Sequence, residues 1–200
     1  MSELAFVIGA YLLGSVSFGI LMSRAFGLPD PRTVGSGNPG ATNVLRSGKK
    51  LAAALTLFGD AAKGWVAVRL ALDLQTHFAW APWMVCIAGL AVFIGHLYPI
   101  YYGFKGGKGV ATALGILLAF SVWLGLAVLL TWLAVFAISR YSSLAALVAS
   151  WLAPIHAVAL LPYKGYAITA AVIAVLITWR HRSNIKKLID GTESGFAKKK

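Results

Sequence analysis

The chain has 200 residues, 59% of them hydrophobic and only 12% charged, with a formal net charge of +12. A mean hydropathy of +0.78 excludes an ordinary soluble domain of this length, because the polar fraction is too small to cover its surface. With no hydrophilic domain to carry it, the basic excess argues against nucleic-acid binding and points to loops held against an anionic membrane face.

The first apolar run, residues 4–22, is long enough to cross ~30 Å of hydrocarbon at 1.5 Å per helical residue. Glu3 precedes it instead of a Lys or Arg, and the run exceeds the apolar part of a cleavable signal, so it is expected to stay as an anchor. A polar, basic segment follows at 24–50. Further apolar runs occupy 51–72, 81–99, 110–138, 144–161 and 166–179. Between them lie a Gly-rich turn at 103–109 and the short segment 139–143, and a basic tail begins at Arg180. Most of the 18 positive residues fall in four places: 24–50, 103–109, 139–143 and the tail. If all four are cytoplasmic, the positive-inside rule puts the N-terminus outside and the C-terminus inside. The run 110–138 would make one helix of roughly 44 Å, too long for a straight span and short for two. Parity requires a break, expected near Phe120–Ser121, because Lys108 and Arg140 flank the run and must share a side. The fold expected is an all-α, polytopic integral membrane bundle of seven transmembrane helices in a single domain, residues 1–200. A re-entrant segment at 110–138 would keep the same parity.

The polar segments hold the chemistry. In the first, glycines 35, 37 and 40 alternate with Ser36, Asn38, Thr42, Asn43 and Arg46. Small residues let successive backbone N–H groups point into one concavity, a nest suited to anionic oxygens, and Thr42 or Asn43 could cap a helix behind it. In the second, Lys105 and Lys108 sit among Gly103, Gly106, Gly107 and Gly109 just before an apolar helix, which makes a phosphate cradle. Tyr102 replaces the first glycine of a Walker A loop, and Gly109 stands where Ser or Thr would follow the lysine, so nucleotide hydrolysis of that type is excluded. Lys108 is the stronger candidate, and Lys105 reads equally well as positive-inside charge. In the third, His181 and Asn184 are spaced to share a helical face. Asn184 could equally cap an interfacial helix, ended by Gly191, that lays Ile185, Leu188 and Ile189 on lipid.

Other polar residues read as structural. Asp60 and Lys63, one turn apart inside a span, neutralise each other, and His96 is a structural histidine at a membrane boundary. Ser143 is a candidate hydroxyl for the site, and Lys198–Lys200 would grip anionic headgroups. Of the 6 acidic residues no two look like a metal-binding pair, and the lone Cys86 offers neither a disulfide nor a thiolate metal site, so no metal and no cofactor are expected. The chain also lacks a Gly-x-Ser-x-Gly elbow and a His-x4-Asp pair, the parts of two common acyl-transfer routes.

Read in order, GSGNPGATNVLR at 35–46, GHLYPIYYGFKGGKGVAT at 95–112 and HRSNIKKLIDGTE at 181–193 resemble the three cytoplasmic motifs of the bacterial acyl-phosphate:glycerol-3-phosphate acyltransferase family, PlsY. The resemblance implies a seven-span inner-membrane enzyme with its active site on the cytoplasmic side. It implies transfer of a fatty acyl group from acyl phosphate to the 1-hydroxyl of glycerol 3-phosphate, giving lysophosphatidic acid at the entry to phospholipid synthesis, and functional coupling to the enzyme that makes acyl phosphate. It carries over Ser36 and Arg46 as essential polar groups, Lys108 and its flanking glycines as the phosphate loop, His181 and Asn184 as active residues, and Glu193 as a structural glutamate. Ser183 departs from the family, falling where many members carry an acidic residue.

The expected site is therefore one pocket at the membrane's inner face. Ser36, Lys108, His181 and Asn184 are its catalytic groups. Gly37, Asn38, Thr42, Asn43, Arg46, Lys105, Gly106, Gly107, Gly109 and Ser143 complete its substrate contacts. Two other classes compete, a small phosphate or anion transporter and a lipid-binding scaffold. The lack of inverted halves and of polar groups on the outer connections argues against transport.

Overall fold

The computed structural model describes residues 2–196, so the lysines at 198–200 lie outside the described residues. The described residues form ten α-helices and one short 3-10 turn: α1 (Glu3–Gly14), α2 (Phe18–Ala25), α3 (Ala41–Arg46), α4 (Lys50–Phe78), α5 (Trp83–Leu97), the 3-10 turn Ile100–Tyr102, α6 (Val110–Phe120), α7 (Val122–Ser139), α8 (Ser142–Leu160), α9 (Lys164–Arg180) and α10 (Arg182–Ile189). Four of these are long and apolar enough to cross a membrane, and the bent pair of α1 and α2 brings the count to five. Exposed Leu4, Phe58, Trp123, Ile138, Val158 and Ile168 are the surface that lipid solvates at no cost. The chain folds as two compact units, Met1–Ala119 and Phe120–Lys200.

In the first unit α1 and α4 pack on α5, and α2 and α3 pack on α4. Helices in lipid gain little from excluding water, so close backbone approach must hold them. Glycines supply it: a side chain on Gly14 would strike the Val92 carbonyl, one on Gly95 the Tyr11 carbonyl, and one on Gly115 the Ala61 carbonyl. Phe93, Leu97 and Ile116 fill the centre and are fully buried. In the second unit α8 packs between α7 and α9, with α10 against α8 and α9. The facing seam is largely alanine, with Ala145, Ala146, Ala149, Ala153, Ala157, Ala170 and Ala174 all buried.

The expected break in 110–138 is present: α6 stops at Phe120, Ser121 is extended, and α7 starts at Val122. The run 4–22 differs from its expectation, because α1 and α2 meet at a 42° bend. The Ser15 hydroxyl donates to the Tyr11 carbonyl at 2.9 Å, and the Gly14 and Val16 carbonyls turn to the Lys63 ammonium at 2.9 and 2.6 Å. Carbonyls freed by a break in lipid need such a donor, and hydropathy could not show it.

Candidate active site

The first unit holds the first two motifs. Between α2 and α3 the chain runs as a loop clamped by one side chain. Asn43, buried inside α3, accepts from the Ser36 N–H at 3.0 Å and donates to the Pro31 and Val34 carbonyls at 2.8 and 3.1 Å. Its amide is spent on loop backbone, and the residue before α3 is Gly40, without a side-chain cap, so neither Thr42 nor Asn43 caps that helix. Gly35 has φ +59, and a side chain there would strike the Asn43 amide oxygen. The clamp leaves Ser36 and Gly37 exposed and Asn38 and Thr42 half-buried. Arg46 sits in the last turn of α3 and, with Ser23, Gly35, Asn43 and Ser47, lines a hollow of about 330 Å³.

A latch ties this loop to the second motif. Asp30 takes a forked pair from Arg32, with Nη2 at 2.7 Å and Nε at 3.0 Å. Arg32 Nη1 donates to the Tyr102 carbonyl at 3.5 Å, and the guanidinium lies 5.9 Å from the centre of the Tyr102 ring. Arg32, hydrogen-bonded to the Asp30 carboxyl and charged beside it, holds that carboxyl below its ordinary value of 3.8. Hydropathy reading counted Arg32 only as loop charge; its spacing from Asp30 was the available signal.

The glycine loop is built on α5. The Gly107 N–H donates to the His96 carbonyl at 3.1 Å, and a side chain on Gly107 would strike the His96 ring. Gly109 has φ +85 and lies against the Phe93 ring. Gly106, Gly107 and Gly109 are buried, Lys108 is half-buried, and Lys105 is exposed. Helix α6 starts directly after Gly109, whose carbonyl accepts the Ala113 N–H at 2.7 Å. A lysine beside small residues at a helix start favours an anion there. Asp60 and Lys63, 2% and 3% exposed, face each other at 2.9 Å within α4.

The second unit holds the third motif, and its helix does not run straight through. Helix α9 ends at Arg180, His181 stands at the junction with φ −96 and ψ 6, and α10 begins at Arg182. His181 is buried, and its Nδ1 lies 2.8 Å from the Ile177 carbonyl. A carbonyl only accepts, so Nδ1 carries the proton in this hydrogen bond. Past α10, Gly191 turns the chain with φ +68, and the Thr192 and Glu193 N–H groups donate back to the Lys187 carbonyl at 2.8 and 3.1 Å. The turn delivers Glu193 to two candidate site residues: Oε1 accepts from Asn184 Nδ2 at 2.7 Å and from the buried Ser143 hydroxyl at 2.6 Å. Asn184 is thus inside the helix with its NH2 fixed, and its carbonyl oxygen is oriented by that bond. Among the described residues no three His, Cys, Asp or Glu side chains gather as metal ligands.

Comparison with known proteins gives one consistent result. Residues 4–191 match the family described as glycerol-3-phosphate acyltransferase. A relative from Methylobacillus flagellatus, named glycerol-3-phosphate acyltransferase, is 65% identical over 199 residues and covers 100% of both chains. One of the same name from Thiobacillus denitrificans is 56% identical, again over 100% of both. Two crystal structures of PlsY (YgiH), an integral membrane glycerol 3-phosphate acyltransferase, superpose closely. The glycerol 3-phosphate form has a TM-score of 0.91 at 42% identity, covering 98% of this chain and 96% of that one. The lysophosphatidic acid form has a TM-score of 0.90 at 40% identity, with coverage of 98% and 96%.

Proposed function

The chain belongs to the glycerol-3-phosphate acyltransferase family, and from that premise we propose that it transfers a fatty acyl group from acyl phosphate to the 1-hydroxyl of glycerol 3-phosphate, releasing lysophosphatidic acid and inorganic phosphate. The observation that carries the reading is the glycine loop: three buried glycines and Lys108 at the start of α6 form a cradle for a phosphate oxygen. Membership of this family sets the transporter reading aside.

The chemistry asks for positioning and charge more than for a protein nucleophile. The hydroxyl oxygen of glycerol 3-phosphate forms a bond to the acyl carbon while the bond from that carbon to the phosphate oxygen breaks, and the leaving group is a stable anion. Lys108, in the loop formed by Gly106, Gly107 and Gly109, holds one phosphate. Arg46 and the loop displaying Ser36 hold charge on the other, with Gly37, Asn38, Thr42 and Lys105 at its edge. His181 Nε2 takes the hydroxyl proton, a role supported by the 2.8 Å bond that keeps the other ring nitrogen protonated. Asn184 orients the hydroxyl, steadied with Ser143 by Glu193.

On this reading the protein is a single multi-pass domain of the bacterial inner membrane with seven spans, α1 and α2 forming one and α6 and α7 two. Its N-terminus is periplasmic, its C-terminus and active site are cytoplasmic, and it works beside the enzyme that makes acyl phosphate. The direct test gives the purified protein, in lipid and with a metal chelator, labelled glycerol 3-phosphate and palmitoyl phosphate. Labelled lysophosphatidate is the expected product; its absence from protein that is folded and lipid-reconstituted refutes the reading.

A further inference from the structure

A buried charged cluster lies beneath the glycine loop, and the chemistry above does not use it. Asp60 on α4 pairs with Lys63 at 2.9 Å, and His96 on α5, 7% exposed, brings Nδ1 to 3.5 Å from the same carboxylate oxygen. That oxygen accepts no well-angled hydrogen bond, and the 3.5 Å approach of His96 is an ion pair only with a protonated ring. Removing these charges from water is costly, and apolar side chains of similar size would fill the space more cheaply. Charge kept at such depth in a helical membrane protein marks a task.

The two partners of Asp60 show what that task is. Lys63 donates to the Gly14 and Val16 carbonyls, holding the bend between α1 and α2. Beyond the bend, α2 carries Gly19, whose missing side chain lets the Pro39 carbonyl of the first loop rest against the helix. His96 supports the second loop: its carbonyl accepts the Gly107 N–H, and its ring fills the space a Gly107 side chain would need. One carboxylate therefore braces the seats of both Gly-rich loops.

We propose that Asp60 is a positioning residue for phosphate binding, acting through Lys63 on the bend that seats the first loop and through His96 on the glycine loop. The inference rests on reading those loops as phosphate-binding. Asp60 touches no reacting atom; its charge fixes the direction in which the loop N–H groups point. Removing the charge should loosen phosphate binding and leave the rate of the bound complex nearly intact.

The test uses the full chain in lipid, with inorganic phosphate as the probe, read by calorimetry, and glycerol 3-phosphate kinetics alongside. Asp60→Asn, which keeps shape and removes charge, is expected to weaken phosphate binding and raise KM about tenfold, with kcat within about threefold of the parent. His96→Ala should give the same loss. His96→Asn, whose amide nitrogen can stand in for Nδ1–H, should recover most of it. Amide exchange in 103–109 should quicken in Asp60→Asn and His96→Ala. Unchanged phosphate affinity in Asp60→Asn overturns the proposal, as does a His96→Asn variant no better than His96→Ala. If Asp60→Asn fails to fold, the two His96 variants decide the question. Phosphate binding is read without turnover, so parent protein that binds phosphate but makes no lysophosphatidate refutes only the acyltransferase reading.

Discussion

The two regions that carry the motifs are built in opposite ways. In the first unit the candidate phosphate loops are backbone structures, and buried residues serve mainly to hold that backbone: the Asn43 amide under the first loop, the His96 carbonyl and ring under the second. In the second unit the order is reversed. A backbone turn at Gly191 serves to place one side chain, Glu193, which gathers Ser143 and Asn184. A motif glycine in the first unit therefore answers to what lies under it, and a motif side chain in the second answers to its hydrogen-bond partner.

The largest effect should come from adding atoms to the backbone-built region. Gly107→Ala forces a methyl group onto the His96 ring and is expected to lower kcat/KM by at least about 10²-fold, as will Lys108→Ala by removing charge from the developing phosphate. An active Gly107→Ala enzyme would break the comparison. His181→Ala should come next: a pH–rate profile that loses its acidic limb assigns the proton to the ring, whereas an unchanged profile with weaker binding assigns it to a phosphate oxygen of the donor.

In the side-chain-built region, Glu193→Gln keeps the shape and removes the charge that strengthens both hydrogen bonds. The expected result is a fall in kcat of about tenfold with the KM for glycerol 3-phosphate little changed, since a loosened Asn184 mispositions the hydroxyl without touching a phosphate loop. A KM effect alone would place Glu193 with the loops instead. Asn43→Ala sharpens the contrast from the other side. It strips the Ser36 N–H and the Pro31 and Val34 carbonyls of their partner and should cost about 1–3 kcal/mol in thermal unfolding, together with a higher KM.

The smallest effect belongs to the latch between the first two motifs. Asp30 has its carboxyl held below 3.8, so its pairing with Arg32 stabilises the fold above that value, and the contribution disappears as pH falls through the lower folded value. The part-exposed pair should be worth little, as such pairs are. The Tm difference between the parent and Asp30→Asn should be small at pH 7 and close as the solution is acidified towards pH 3. A difference that grows on acidification would reverse the assigned sign.

Hydropathy and charge alone determined the helical, membrane-embedded character of the chain, because a bilayer imposes its thickness on every apolar run. The break at Phe120–Ser121 was legible because the positive-inside expectation asks the charges flanking 110–138 to share a side. Composition marked Ser36, Arg46, Lys108, His181 and Asn184 as candidates, since glycines, amides and cations stand out in so apolar a chain, and the family resemblance added Glu193. What the tertiary structure decided was which polar groups are spent on architecture. Asn43 reads in sequence like Asn38 and Asn184, yet its amide is consumed by loop backbone. Lys63 reads as a neutralised charge, yet it also holds the carbonyls at a helix bend. Hydrogen-bond partners far apart along the chain are set by packing, and a one-dimensional pattern records the donor without the acceptor it will meet.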